Sequence, residues 1–258
     1  MKRLLIFLVF LLLVLFSFWF LGKKQSPTPS LDKKTEVGFD DFRQGMKKIV
    51  FQNQEFLFLE QKIKETQKLH LFPNFEEKLP ATELFEKNNC LFLTNGGFYD
   101  QQGQPLGWFF AQEKLFQKEI KSALFNGFFF KDKENKVFIE KNFPSRPIIW
   151  GLQTGPILIL RNQPLKMNLV KDQHARRIVA AVNHQGELFF FVITGSESLA
   201  SGPLLSDLPF LLAKIGQELG ESFEKAINLD GGTASAFINK EKTIKEYTRI
   251  GSFFCLSF

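Results

Sequence analysis

Two segments of this chain share one construction: a short apolar run, a single polar residue at its end, then a pair of glycines. Residues 90–94 lead into Asn95-Gly96-Gly97, and residues 226–229 lead into Asp230-Gly231-Gly232. Apolar runs of this length, bounded by glycine, read as buried strands. A glycine pair lets the main chain turn sharply and lets another group approach it closely. The polar side chain at the strand end is held by the core behind it, which makes a rigid place for a binding or reacting group. Either pair alone would also serve as a tight turn whose Asn or Asp bonds its own loop. An amide in one copy and an acid in the other point instead to a shared pocket, so the fold is expected to bring these two strand ends together.

The rest of the pattern predicts an α+β domain, a mixed β-sheet core with flanking helices. Residues 48–51 and 55–59 read as paired strands and 68–72 as a third, while 80–87 form a short amphipathic helix stopped by Asn88 and Asn89. The clearest hairpin joins 177–182 to 187–193 through Asn183-His184-Gln185-Gly186, which is turn chemistry between β-branched and aromatic runs. Leu208, Leu211, Leu212, Ile215 and Leu219 fall on one helical face. Ser206 or Asp207 is placed to cap that helix, Pro209 is tolerated in its first turn and Gly220 ends it. No internal repeat or second linker follows Val37, so residues 37–258 are expected to form one domain.

Ahead of it, residues 4–21 contain neither charge nor proline. As a helix this run spans about 27 Å, the hydrocarbon thickness of a bilayer. Lys2 and Arg3 would also suit a cleaved signal, but Phe18, Trp19 and Phe20 stand where small residues precede a cut. Residues 1–22 are therefore expected to be a transmembrane anchor with the domain on the periplasmic or extracellular side; secretion after cleavage is the alternative. Residues 23–36, rich in Pro, Ser, Thr and charge, have linker composition.

The formal net charge of +6 belongs mostly to that anchor. Setting aside Lys2, Arg3, Lys23 and Lys24 leaves 29 basic residues against 27 acidic ones, which argues against a nucleic-acid-binding face. Cys90 and Cys255 both sit in apolar runs. Outside the cytoplasm they can pair, and two separately buried thiols fit the sequence equally well. His70, His174 and His184 do not cluster and no spacing suits a metal site, so neither metal nor cofactor is expected. The sequence gives no indication of oligomeric state.

Two further motifs complete the set. Gln153-Thr154-Gly155-Pro156 precedes the apolar run 157–160, and Arg176-Arg177 head the hairpin. Adjacent strand residues face opposite ways, so at most one of these arginines can enter a given pocket. In their order along the chain, Asn95-Gly96-Gly97-Phe98, Gly155-Pro156, the Arg177 strand with its Gly186 turn, and Asn228-Leu229-Asp230-Gly231-Gly232 resemble the phosphodiester glycosidase family. The resemblance covers about residues 38–258, including the Arg249 segment, and extends to bacterial exported proteins linked to exopolysaccharide.

Members of that family cleave the glycosidic bond of a sugar-1-phosphodiester and release free sugar and a phosphomonoester. The resemblance implies a hydrolase acting on such a substrate or a related surface glycan. Asp230, Arg177 and Asn95 would be its catalytic residues, with Gly96, Gly97, Gly155, Gly231, Gly232 and Thr233 binding substrate. Phosphate leaves as a stable anion, so a cation can partly replace the acid that ordinary glycosidases need. Asp230 would act as base toward water or stabilise the anomeric carbon, and Arg177 would hold the phosphate through paired hydrogen bonds. Asn95, with the Gly96 and Gly97 amides, would bind sugar hydroxyls or a phosphate oxygen, and Thr233 would support Asp230 or bind substrate. The chain departs from the family's Arg-Thr-Ala-x-Gly, having Arg177-Ile178-Val179-Ala180-Ala181. That loss motivates a second reading, a membrane-tethered glycan-binding module without turnover; a third is a phosphodiesterase that breaks the P–O bond.

Overall fold

The structure, a computed structural model, describes residues 43–258, and every strand pairing within them is antiparallel. A seven-stranded sheet contains β1 (Lys47–Phe51), β2 (Gln54–Ile63), β10 (Ile157–Leu160), β11 (Gln163–Pro164), β12 (Arg177–Asn183), β13 (Leu188–Gly195) and β14 (Phe223–Asn228), in the order β1-β2-β13-β12-β14-β10-β11. A second sheet contains β3 (Leu69–Pro73), β4 (Phe92–Asn95), β15 (Phe237–Asn239), β16 (Thr243–Ile244) and β17 (Ser252–Leu256), in the order β16-β15-β4-β17-β3. The third contains β5 (Phe109–Ala111), β6 (Lys114–Gln117), β7 (Gly127–Asp132), β8 (Val137–Glu140) and β9 (Ile148–Thr154), in the order β6-β5-β9-β7-β8.

One core joins all three sheets. Ile178, Ala180, Phe190 and Ile227 from the first meet Phe92, Phe237 and Phe254 from the second and Phe129, Trp150 and Leu152 from the third. The opposite face of the first sheet carries Val179, Ala181, Phe189 and Phe191. Helix α2 (Leu208–Leu219) covers it with Leu208, Leu211, Leu212 and Ile215. These residues sit on one helical face as the sequence spacing requires, and each fully buried side chain contributes about 1.5–3 kcal/mol. Gly220 ends the helix in the left-handed conformation (φ 71°), with the Glu221 N–H closing on the Gly216 carbonyl at 2.8 Å. Asp207 forms no side-chain cap; in the turn ahead of it, the two Asp172 carboxylate oxygens accept the Leu205 and Ser206 N–H groups.

On the outer face of the second sheet, Leu93, Ile238 and Phe253 pack against α1 (Ala81–Lys87) through Ala81 and Leu84. There Cys90 and Cys255 form a disulfide, Cα atoms 5.4 Å apart, which closes the alternative of two separate thiols.

The α+β expectation is overturned: the domain is mostly β-sheet, with two complete α-helices among the described residues. The hairpin, the strand 226–229 and both helices fall close to where the spacing places them. The third sheet is what the pattern misses. Its β7 is a continuous run of six buried residues rather than an alternating one, and β5 and β6 are three and four residues long. Such segments give no periodicity to read. The expected membrane helix and linker, residues 1–36, lie outside the described residues. Among the described residues no helix is long and apolar enough to cross a membrane.

Candidate functional site

The C-terminal ends of β4, β9 and β14 meet, and with them the glycine-flanked motifs. Asn95 closes β4 with its side chain buried; its Nδ2 donates to the Asp230 carbonyl at 2.7 Å, and its Oδ1 accepts the Ala236 N–H at 2.9 Å. In return the Asp230 N–H donates to the Gly96 carbonyl at 3.1 Å. The two motifs are thus bonded directly to each other. A Cβ on Gly96 would lie 2.4 Å from the Ser252 hydroxyl, so the closeness of β4 and β17 here requires glycine. Asn95 spends its amide on main-chain groups, which makes it a brace under Asp230.

The third motif locks in beside them. The Thr154 hydroxyl donates to the Asn228 carbonyl at 2.9 Å, and Asn228 Nδ2 donates to the Gly155 carbonyl at 3.0 Å. Gly155 has φ +152°, and a Cβ there would lie 2.3 Å from the Leu124 carbonyl oxygen; its bond to Pro156 is cis. Asn228 Oδ1 is buried with no hydrogen-bond partner in the protein.

Asp230 is partly buried, and that burial pushes its carboxyl up to about 8, opposed by a hydrogen bond from the Gly231 N–H. The acid is accordingly neutral at pH 7, because desolvation penalises the charged form and no cation offsets it. The Tyr99 phenol stands nearby. Its own burial pushes it up first and the Asp230 charge adds to this, while a hydrogen bond with Thr248 opposes. Its hydroxyl donates to the Arg249 carbonyl.

The arginine pair divides as strand alternation demands, and the structure places the two side chains apart. The register pairs Val179 with Asn228 and continues through the Leu229 N–H to Ile178 carbonyl bond, which brings the main chain at Arg177 alongside the Asp230 loop. Yet the Arg177 guanidinium turns to the 172–173 and 203 loops: Nε donates to the Pro203 carbonyl at 3.0 Å, Nη2 to the Gln173 carbonyl at 2.6 Å, and Asp172 is 3.6 Å away. Arg176 takes the other face and is fully buried. Nε donates to the Leu199 carbonyl (2.7 Å) and Nη1 to those of Ser235 (2.9 Å) and Lys245 (2.8 Å). Its own carbonyl accepts the Gly232 N–H at 2.8 Å, so Arg176 holds the downstream side of the Asp230-Gly231-Gly232 turn through Gly232 and Ser235. Burial lowers the pKa of both guanidinium groups without discharging them at neutral pH.

Thr233 is exposed, and its hydroxyl accepts from Thr248 at 3.0 Å rather than reaching Asp230. The Thr233 carbonyl also accepts the N–H groups of Tyr247 (2.7 Å) and Thr248 (3.0 Å), which seats residues 245–250 along the rim. Sequence reasoning gave no role to Tyr99, Arg176, the Asn228 side chain, Tyr247 or Thr248. For Arg176 a signal existed in the Arg-Arg pair, but alternation alone cannot say which member faces the site.

Two cavities of about 480 and 530 Å3 lie elsewhere, one lined by Phe72, Phe75 and Leu84 and the other by His174 and Ser196. Neither touches Asp230. Among the described residues no cluster of three or more His, Cys, Asp or Glu side chains is placed to hold a metal.

A β-rich scaffold carrying an isolated, elevated carboxyl on a glycine turn is the class defined so far. The profile of the phosphodiester glycosidase family matches residues 88–252, and the chain belongs to that family. Among solved structures it is similar to the catalytic domain of zebrafish N-acetylglucosamine-1-phosphodiester α-N-acetylglucosaminidase, which was captured auto-inhibited by its pro-peptide. The TM-score is 0.65 at 14% identity, over 83% of this chain and 81% of that one. It is also similar to a hypothetical protein from Synechocystis (TM-score 0.56, 13% identity, 81% and 61% covered) and to a protein from Burkholderia pseudomallei (0.54, 10%, 80% and 75%). No curated protein matches the sequence. These likenesses speak to the fold; they say nothing about exopolysaccharide or a membrane.

Proposed function

We propose that this protein hydrolyses the glycosidic bond of a sugar-1-phosphodiester, with Asp230 as general acid. The observation that carries this is the Asp230 carboxyl, pushed up to about 8 at the meeting point of the motifs. A neutral acid accepts an anionic phosphodiester without like-charge repulsion and donates a hydrogen bond to it. Water attacks the anomeric carbon as the carbon–oxygen bond breaks. The Asp230 proton passes to the departing phosphate oxygen, and a proton from the attacking water restores the acid. Asn95 and Arg176 act as positioning residues that fix the turn carrying Asp230. This changes the expected roles: Asp230 serves as acid rather than as base or anomeric-carbon stabiliser, and Arg177 supports the 172–173 and 203 loops.

The domain is proposed to work outside the cytoplasm. Its buried disulfide suits an oxidising compartment, and the uncharged run at residues 4–21 suits export or anchoring. The test uses full-length protein in detergent and a sugar-1-phosphodiester in 18O-labelled water. Label is expected in the released sugar, with Asp230→Asn lowering kcat about a hundredfold or more. Label in the phosphate product would establish P–O cleavage instead. Binding without turnover, indifferent to Asp230→Asn, would establish the glycan-binding module.

A further inference from the structure

The cleft of about 480 Å3 beside α1 is walled by two of the three sheets. One wall is the end of β3 with the loop after it and α1; the other is the hairpin of β5 and β6. Aromatic rings line both. Phe72 stacks on Phe253 with 5.3 Å between ring centroids, and the Phe75 and Phe116 rings meet edge to face at 6.0 Å. Phe72 and Phe116 are only partly buried, so ring area remains open to the cleft. Both walls are fixed. The buried Asn74 side chain donates to the Leu79 and Ile250 carbonyls and accepts the Leu79 N–H, which closes the loop carrying Glu76 and Glu77. Lys114 follows the two-residue turn Gln112-Glu113, both with positive φ, and so stands on a tight hairpin.

Four charged side chains line this cleft: Glu76, Glu77, Lys87 and Lys114. Glu77 and Lys87 neutralise each other at 2.6 Å. Glu76 and Lys114 are exposed, and neither has an ion-pair partner among the described residues. The Lys114 ammonium lies instead over the Phe116 ring, 4.7 Å from its centroid. The cleft therefore presents one uncompensated acid, one uncompensated base and several aromatic rings, one of which already holds an ammonium.

We propose that this cleft binds a small zwitterion, a methylated ammonium joined by a short link to a phosphate. A methylated ammonium packs on aromatic faces, and Glu76 supplies the opposite charge. Lys114 meets the phosphate. A simple cation would be repelled by Lys114 and a simple anion by Glu76, so the two unpaired groups together select a ligand carrying both signs. The volume falls in the range of small-molecule sites. Asp230 is not among the lining residues, and this inference does not rest on the hydrolase reading.

The test is calorimetry on full-length protein in a maltoside detergent, with phosphocholine as the probe. Neohexyl phosphate has the same shape with carbon in place of the charged nitrogen, and choline lacks the phosphate. Phosphocholine is expected to bind about fivefold more tightly than either. Glu76→Gln should lower phosphocholine affinity about threefold and leave neohexyl phosphate unchanged. Lys114→Gln should lower the affinity of both phosphates and leave choline no weaker. Both positions are exposed, where substitution leaves the fold intact. Equal binding of phosphocholine and neohexyl phosphate, or of phosphocholine and choline, overturns the proposal, as does phosphocholine affinity unchanged in both variants. Dibutyryl phosphatidylcholine, a soluble lipid, identifies the source. Binding as tight as phosphocholine assigns a lipid headgroup and exclusion assigns a free or terminal group; either leaves the site standing.

Discussion

Asp230 should make the protein less stable as pH rises, and removing its charge should reverse this. Burial lifts the carboxyl from an ordinary 3.8 up to about 8. Below pH 4 the folded and unfolded chains both hold the proton and the group contributes nothing. Between about 4 and 8 the folded chain binds a proton that the unfolded chain has released, so stability falls as pH rises. Above 8 the folded chain carries the full cost of a desolvated charge. A shift of about four units corresponds to roughly 5–6 kcal/mol at 1.36 kcal/mol per unit. Partial exposure admits water and screens the group, which brings the expected figure to about 2–4 kcal/mol. Asp230→Asn keeps the shape and cannot ionise. Urea denaturation of wild type and variant at pH 5, 7 and 9 would measure the difference, since groups common to both proteins cancel. The variant should gain about 1–3 kcal/mol on wild type between pH 5 and pH 9, the rest of the change falling below pH 5. A difference that stays flat within about 0.5 kcal/mol over that range would refute the assignment of a raised carboxyl.

Other substitutions test the scaffold. The Cys90–Cys255 bridge spans 165 residues of chain, so opening it with Cys90→Ser and Cys255→Ser should lower unfolding free energy by about 3–5 kcal/mol; a loss under about 1 kcal/mol in urea melts would contradict this. Asn95→Leu strips the Asp230 carbonyl and the Ala236 N–H of their partner in a buried setting, which should cost about 3–5 kcal/mol at roughly 1–3 per orphaned group. Unchanged thermal stability in that variant would mean Asn95 does not brace the turn.

The fold was readable where periodicity was strong or where glycine punctuated the chain. Leu208, Leu211, Leu212 and Ile215 mark α2 because one helical stripe faces a sheet. Arg177–Asn183 and Leu188–Gly195 mark a hairpin because a turn separates two β-branched and aromatic runs. The third sheet was not readable. Phe128, Phe129 and Phe130 are consecutive and all buried, since β7 has one face on the common core and the other under Trp108. A strand covered on both faces shows no alternation, and short partners such as β5 add none. That sheet alone turns the expected balance of helix and strand into a mostly β domain.

The site was half readable, and the unread half alters its chemistry. The twin glycine motifs announced a meeting of Asn95 and Asp230, because rigid strand ends are places where the backbone must approach something closely. Nothing in the sequence told which of Arg176 and Arg177 would face the acid, or that neither would neutralise it. Had the Arg177 guanidinium stood beside Asp230, the opposite charge would have held the carboxyl low and kept it a carboxylate, fit for the role of base or of stabiliser of the anomeric carbon that the sequence reading assigned. Arg177 instead is engaged by Asp172 and the Gln173 and Pro203 carbonyls, while Arg176 is consumed by three others. Burial is then left unopposed except by the Gly231 N–H, and the acid keeps its proton at pH 7. In the proposed reaction this is what allows a single carboxyl to suffice. A protonated acid receives the anionic diester, gives its proton to the leaving phosphate, and regains one from water as the sugar departs.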